Sequence, residues 1–132
     1  MAEEKVKDIA QEAENVILRL KEDGGGKLVL TTSQIRKFLA SVNALTNKVD
    51  VYHAQNPGAV ELSPTLASAV KYLKVQLAYQ AGREPKKVKP FVETARLKER
   101  IDGIGTDLRA YEDFAHYMEA LVAYHKFYGG RD

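Results

Sequence analysis

Three histidines, a run of hydroxyls and a glycine triplet are the groups in this 132-residue sequence whose chemistry could go beyond packing. A metal centre needs converging ligands, which a sequence announces most clearly through two histidines at i and i+4. No two of His53, His116 and His125 stand at that spacing, so neither a metal nor any other cofactor is expected. His125, between Tyr124 and Lys126, is expected to be a partly buried or surface helix residue. Thr31-Thr32-Ser33 would supply a nucleophile only beside a base and on a strained strand-to-helix elbow. Neither is legible, and the three hydroxyls read as helix caps. Gly24-Gly25-Gly26-Lys27 has the composition of a phosphate loop, but it follows a helix and leads into no helix of the required kind. It reads as a linker with a weak phosphate contact at most.

Glu93, Glu99, Asp102, Asp107 and Asp113 are scattered among basic residues, with nothing to pair two of them for acid–base work. Six of the eleven aromatic residues lie between Tyr111 and Tyr128. Bases could stack on such a cluster, although aromatic residues at helical spacing belong more often to a core or a subunit contact. What remains is cationic: Arg36, Lys37 and Lys48, then Lys71 and Lys74, then Arg83, Lys86, Lys87 and Lys89. Amides at a helix start favour an anion and arginine offers a planar fork to phosphate, so this set suits a nucleic-acid backbone.

The elements that would carry these groups are helical. Ile9, Ala13, Val16, Ile17 and Leu20, preceded by Val6, recur at helical spacing and predict a helix over about 4–22. After the glycine triplet and a short apolar connector, Ile35, Phe38, Leu39, Val42, Leu45, Val49 and Tyr52 form the stripe of a second helix running to about residue 54. On that helix Lys37, Ser41 and Lys48 share one solvent face. Asn56-Pro57-Gly58 opens an irregular loop, and Ser63-Pro64 is a cap followed by proline at the first helical position. The third helix, about 64–81, buries Leu66, Val70, Leu73 and Leu77, and Gly82 is expected to end it in a left-handed conformation. A fourth helix is expected from about Pro90 to the Gly103-Ile104-Gly105 interruption, and a fifth from a Thr106 cap to Gly129-Gly130. The expected fold class is all-α, a compact bundle of about five helices in a single domain spanning 1–132.

Composition narrows the function classes. The chain has no cysteine, which removes disulfides and thiolate ligands and favours a cytoplasmic home. Acids in the first residues stand where a secretory signal would be basic and then apolar, and no uninterrupted apolar run reaches membrane-spanning length. A formal net charge of +2 says little, but its distribution is uneven. Residues 83–100 hold seven Lys or Arg against three Glu, whereas residues 1–14 hold five acids against two Lys. Either a solvated helix face or a polyanion contact would produce that asymmetry.

Three stretches, LTTSQIRKFL at 30–39, YLKVQLAYQAGRE at 72–84 and YMEALVAYHKFYGG at 117–130, resemble segments of the Csm small subunit of type III-A CRISPR effector complexes. The resemblance implies a helical, non-catalytic protein of antiviral defence that stacks in several copies along guide and target RNA. Its other partners would be the backbone and large Csm subunits, which in that family carry target cleavage and the DNase and cyclic oligoadenylate chemistry. By position, the family's Thr-Thr-Ser-x-x-Arg segment falls on Thr31, Thr32, Ser33 and Arg36, and its Ala-Gly-Arg-Glu on Ala81, Gly82, Arg83 and Glu84. Gln34 stands where members often have lysine, with Lys37 nearby. The RNA-binding set so implied is Ser33, Arg36, Lys37, Lys48, Lys71, Lys74, Arg83, Lys86 and Lys87. Two other readings compete: a free-standing helical protein-interaction module without RNA binding, and a nuclease using the scattered acids.

Overall fold

The computed structural model describes residues 8–132 and is all-α. Among the described residues there are six helices: α1 (Ile9–Asp23), α2 (Thr32–Gln55), α3 (Pro64–Arg83), α4 (Val88–Thr94), α5 (Leu97–Ile104) and α6 (Leu108–Phe127). The first four residues of the expected helix over 4–22, Val6 among them, and the first half of the acidic 1–14 stretch lie outside the described residues. α6 packs on α1, α2 and α5, while α3 bridges α2 to α4 and α5. One apolar cluster runs through all six helices.

The sequence signals and the structure part company at three junctions. Gly82 does not end α3; the helix continues through it to Arg83, and the residue that leaves helical geometry is Glu84, at φ −128° and ψ 69°. The cause is Pro85, whose ring excludes the residue before it from the helical region. The expected fourth helix is two helices, broken at Arg96, which adopts the left-handed conformation at φ 55° and ψ 43°. Ala95 and Leu97 are both fully buried, yet in one continuous helix they would point about 200° apart. The break turns both inward. α4 also begins at Val88 rather than Pro90, and Pro90 sits in its first turn, where a missing amide costs no helical bond. Finally, the α6 cap is Asp107, not Thr106. The Asp107 carboxylate accepts from the amides of Arg109 (3.0 Å) and Ala110 (3.2 Å), while the Thr106 carbonyl accepts from Leu62 N–H at 2.7 Å. That last bond, with an isolated bridge between Glu61 and Asp107, ties the 56–63 loop to the start of α6.

The C-terminal aromatic cluster divides. Tyr111, Phe114 and Tyr117 are core; Tyr124 and Tyr128 are half-buried; Phe127 is 75% exposed. The Tyr111 hydroxyl donates to the Val42 carbonyl (3.1 Å) and meets the Thr46 hydroxyl at 2.8 Å, joining α6 to α2, and burial pushes its pKa up to about 12. Tyr117 donates to the Ala95 carbonyl at 3.1 Å beside the α4–α5 break. The Arg100 guanidinium lies 3.8 Å from the centre of the Tyr117 ring, pairs with Glu12 of α1 and donates to the Ala95 carbonyl, so one cation joins α1, α5 and α6.

His125 departs most from expectation. It is 1% exposed, and its Nε2 lies 2.7 Å from the Leu30 carbonyl. A carbonyl can only accept, so Nε2 carries the proton. The chain beyond α6 turns at Gly129, φ 97°, and Gly130 then passes so close to the imidazole that a Cβ there would stand 2.1 Å from a ring carbon. Gly130→Ala should therefore force the ring off the Leu30 carbonyl and cost about 1–3 kcal/mol. Thermal unfolding is expected to show a melting temperature several degrees below the parent protein, with helical content retained at low temperature.

Candidate nucleic-acid interface

Each amide in the first turn of α2 has an acceptor. Thr31 Oγ1 accepts from Gln34 N–H at 3.1 Å, and Gln34 Oε1 accepts from Thr31 N–H at 2.9 Å, a reciprocal capping box. The pattern Thr-x-x-Gln was readable in the sequence, and it assigns Gln34 to the backbone. Ser33 donates through both its amide and its hydroxyl to the Asp132 carboxylate, each at 2.8 Å. A carboxylate thus sits where the orphaned amides and the positive end of the helix dipole favour an anion. Hydrogen bonds from the Ser33 hydroxyl and amide, in that order, with further help from Lys126 and Arg36, hold the Asp132 carboxyl below the usual carboxylate value.

Cations gather around this point. Lys21, Lys27, Lys87 and Arg131 line, with Thr31 and Asp132, an open cavity of about 550 Å³ at this end of the bundle. Lys21 is engaged, donating to the Tyr128 carbonyl at 3.0 Å. Lys87, on the link between α3 and α4, is thereby brought to the α2 N-terminus although 54 positions separate it from Ser33. Lys27 stands in the glycine motif that reads as a linker with a weak phosphate contact, whereas for Arg131 and Asp132 no local pattern announces a tail that folds back onto a helix start.

The other expected contact residues separate into groups. Arg36 and Lys37 are exposed one turn along α2, whereas Lys48 is exposed about 18 Å farther along the same helix from Arg36. On α3, Lys71 and Arg83 are exposed. Lys74 is half-buried and paired with Asp102 of α5 at 2.6 Å, which gives it a structural partner. Arg83 is the last residue of α3 and lies 5.7 Å from the centre of the Tyr79 ring. Lys86 and Lys87 are exposed on the turn before α4. Among the described residues, Arg36, Lys37, Lys48, Lys71, Arg83, Lys86 and Lys87 form no ion pair. Nor do any three His, Asp or Glu among them come together as metal ligands. No described helix is long and apolar enough to cross a membrane.

Comparison with known proteins gives a family match. The profile of the family described as Csm2 Type III-A matches residues 3–131. The chain is 42% identical over 120 residues to a Streptococcus thermophilus protein named CRISPR system Cms protein Csm2, covering 91% of this chain and 90% of that one. A protein of the same name from Mycobacterium tuberculosis is 39% identical over 103 residues, 78% of each chain. One from Enterococcus italicus is 37% identical over 101 residues, 75% of this chain and 68% of the relative.

The Asp132 contact has a measurable sign. A carboxyl whose folded pKa lies below its unfolded value supports the fold above the unfolded value and loses that support as pH falls through the folded one. Carboxyl-resolved NMR titration should place Asp132 below the ordinary 3.8, and Ser33→Ala, which removes the largest cause, should move it back up towards that value.

Proposed function

The chain belongs to the Csm2 Type III-A family, and from that premise we propose that it is a non-catalytic small subunit of a type III-A CRISPR ribonucleoprotein, contacting guide and target RNA through their phosphates. Several copies stack along the RNA beside the backbone and large Csm subunits. Sequence information comes from base pairing with the guide, so the protein's own contacts are to the backbone and carry no base preference.

The observation that supports this reading is the exposure of Arg36, Lys37, Lys48, Lys71, Arg83, Lys86 and Lys87, none of which is ion-paired among the described residues. Arg36 and Lys37 follow an α2 N-terminus that already holds a carboxylate, and Lys87, on the turn before α4, lines the same cavity as Thr31 and Asp132. A phosphate is, like the Asp132 carboxylate, an anionic acceptor, and it would reach the Ser33 amide and hydroxyl by displacing that carboxylate. Asp102 and Asp107, which a nuclease reading would recruit, are committed to Lys74 and to the α6 cap respectively.

Phosphate contacts have a salt signature. If about four are made, the log–log salt slope for single-stranded RNA has a magnitude of roughly 3, and each contact removed lowers it by about 0.7. Arg36→Glu with Arg83→Glu should weaken binding of unrelated RNA sequences alike and flatten the slope. The same double variant, tagged in its native host, should recover less short guide RNA than the parent chain. A slope near zero, or unchanged RNA recovery, would overturn the reading in favour of a protein-interaction module. Labelled RNA incubated with the chain and Mg²⁺ or Mn²⁺ should remain intact.

A further inference from the structure

The outward face of α3 carries a second kind of RNA-directed chemistry that phosphate contacts leave unused. Ser68, Tyr72, Val75, Tyr79 and Arg83 fall within an arc of about 80° on a helical wheel. Tyr72 is 59% exposed, Val75 55% and Tyr79 65%, so two aromatic rings stand in solvent on a helix whose opposite side is core. Exposed Tyr is unremarkable singly, but two on one stripe, with Arg83 over the Tyr79 ring at 5.7 Å and Lys71 at the margin, form an aromatic and cationic surface. α3 contains no Asp or Glu, whereas each of the other five helices has at least one. That charge pattern selects a polyanion, and the rings select a polyanion with flat π faces.

We propose that α3 is a base-stacking platform, on which Tyr72 and Tyr79 each receive one unpaired RNA base while Lys71 and Arg83 hold the neighbouring phosphates. The inference rests on the RNA-contact reading and adds to it a contact with bases. Seven residues of helix separate the two rings by about 10 Å along the axis, roughly three times the rise between stacked bases. The two tyrosines therefore take bases that are not stacked neighbours, with Val75 lying between them. Stacking of this kind tolerates any base, since every base has a π face, so it is compatible with contacts that carry no sequence preference. Val75 is the one aliphatic side chain on this stripe.

The test uses the full chain and two single strands of equal length, an oligoadenylate RNA and an abasic strand with the same backbone. Tyr72→Ala and Tyr79→Ala should each lower affinity for oligoadenylate by roughly 5- to 150-fold, leave the abasic strand bound as before and leave the salt slope unchanged. Tyr→Phe at each position should restore binding and Tyr→Leu should not. Quenching of 2-aminopurine placed in the oligoadenylate should follow the same order. Both side chains are exposed, and thermal melts of the variants should match the parent. Equal affinity of parent and alanine variants for oligoadenylate would overturn the platform while leaving phosphate binding in place. Equal loss on both strands would overturn it as well, as would variants that change self-association or retention of protein partners but not RNA affinity. If the parent chain binds neither strand, the phosphate reading falls and the platform falls with it.

Discussion

The position of the α2 first turn depends on one buried hydrogen bond, from the His125 imidazole to the Leu30 carbonyl. Leu30 is the last residue before the Thr31 cap, so fixing its carbonyl fixes where the capping box of α2 begins. The same imidazole is backed by Gly130, which brings residues 130–132 alongside. Thr32 N–H then donates to the Arg131 carbonyl at 3.4 Å and Ser33 donates to Asp132. A helix start from the first quarter of the chain and a tail from its last turn are thus held by a side chain that belongs to neither. A buried polar group left without its partner costs more than an ordinary lost contact, so this bond is under strong constraint.

A second constraint shapes the other side of the bundle. Ala95 and Leu97 must both be buried in a segment too short to form a separate hairpin, and the chain resolves this by placing Arg96 in a conformation that non-glycine residues seldom adopt. The cost of that conformation is of order 1 kcal/mol, small beside the burial of Leu97, Ile101 and Ile104 that it permits. The side chains of Tyr117 and Arg100 converge on the Ala95 carbonyl at this break.

The helical stripes were legible because each rests on residues three or four apart. Ile35, Phe38, Val42, Leu45 and Val49 are all buried as their spacing requires, and Ser63 caps α3 by accepting from Leu66 N–H. Leu39, Tyr52 and Val122, at the margins of their stripes, are only partly buried. Local punctuation was less decisive: Gly82 and Pro85 both promised an end to α3, and the proline imposed it. What the sequence did not disclose depends on distant partners. His125 gives no sign in its own neighbourhood of a carbonyl 95 positions away, Asp132 none of Ser33, and Lys74 none of Asp102. For the candidate interface, the types of side chain were readable, but the gathering of Lys27, Lys87 and Arg131 at one end of the bundle came only with the fold.

The absence of carboxylates from α3 has an environmental consequence. Lys71 and Arg83 have no acid on the same helix to answer them, so the positive field they project is checked chiefly by dissolved salt, within a Debye length of about 8 Å at physiological ionic strength.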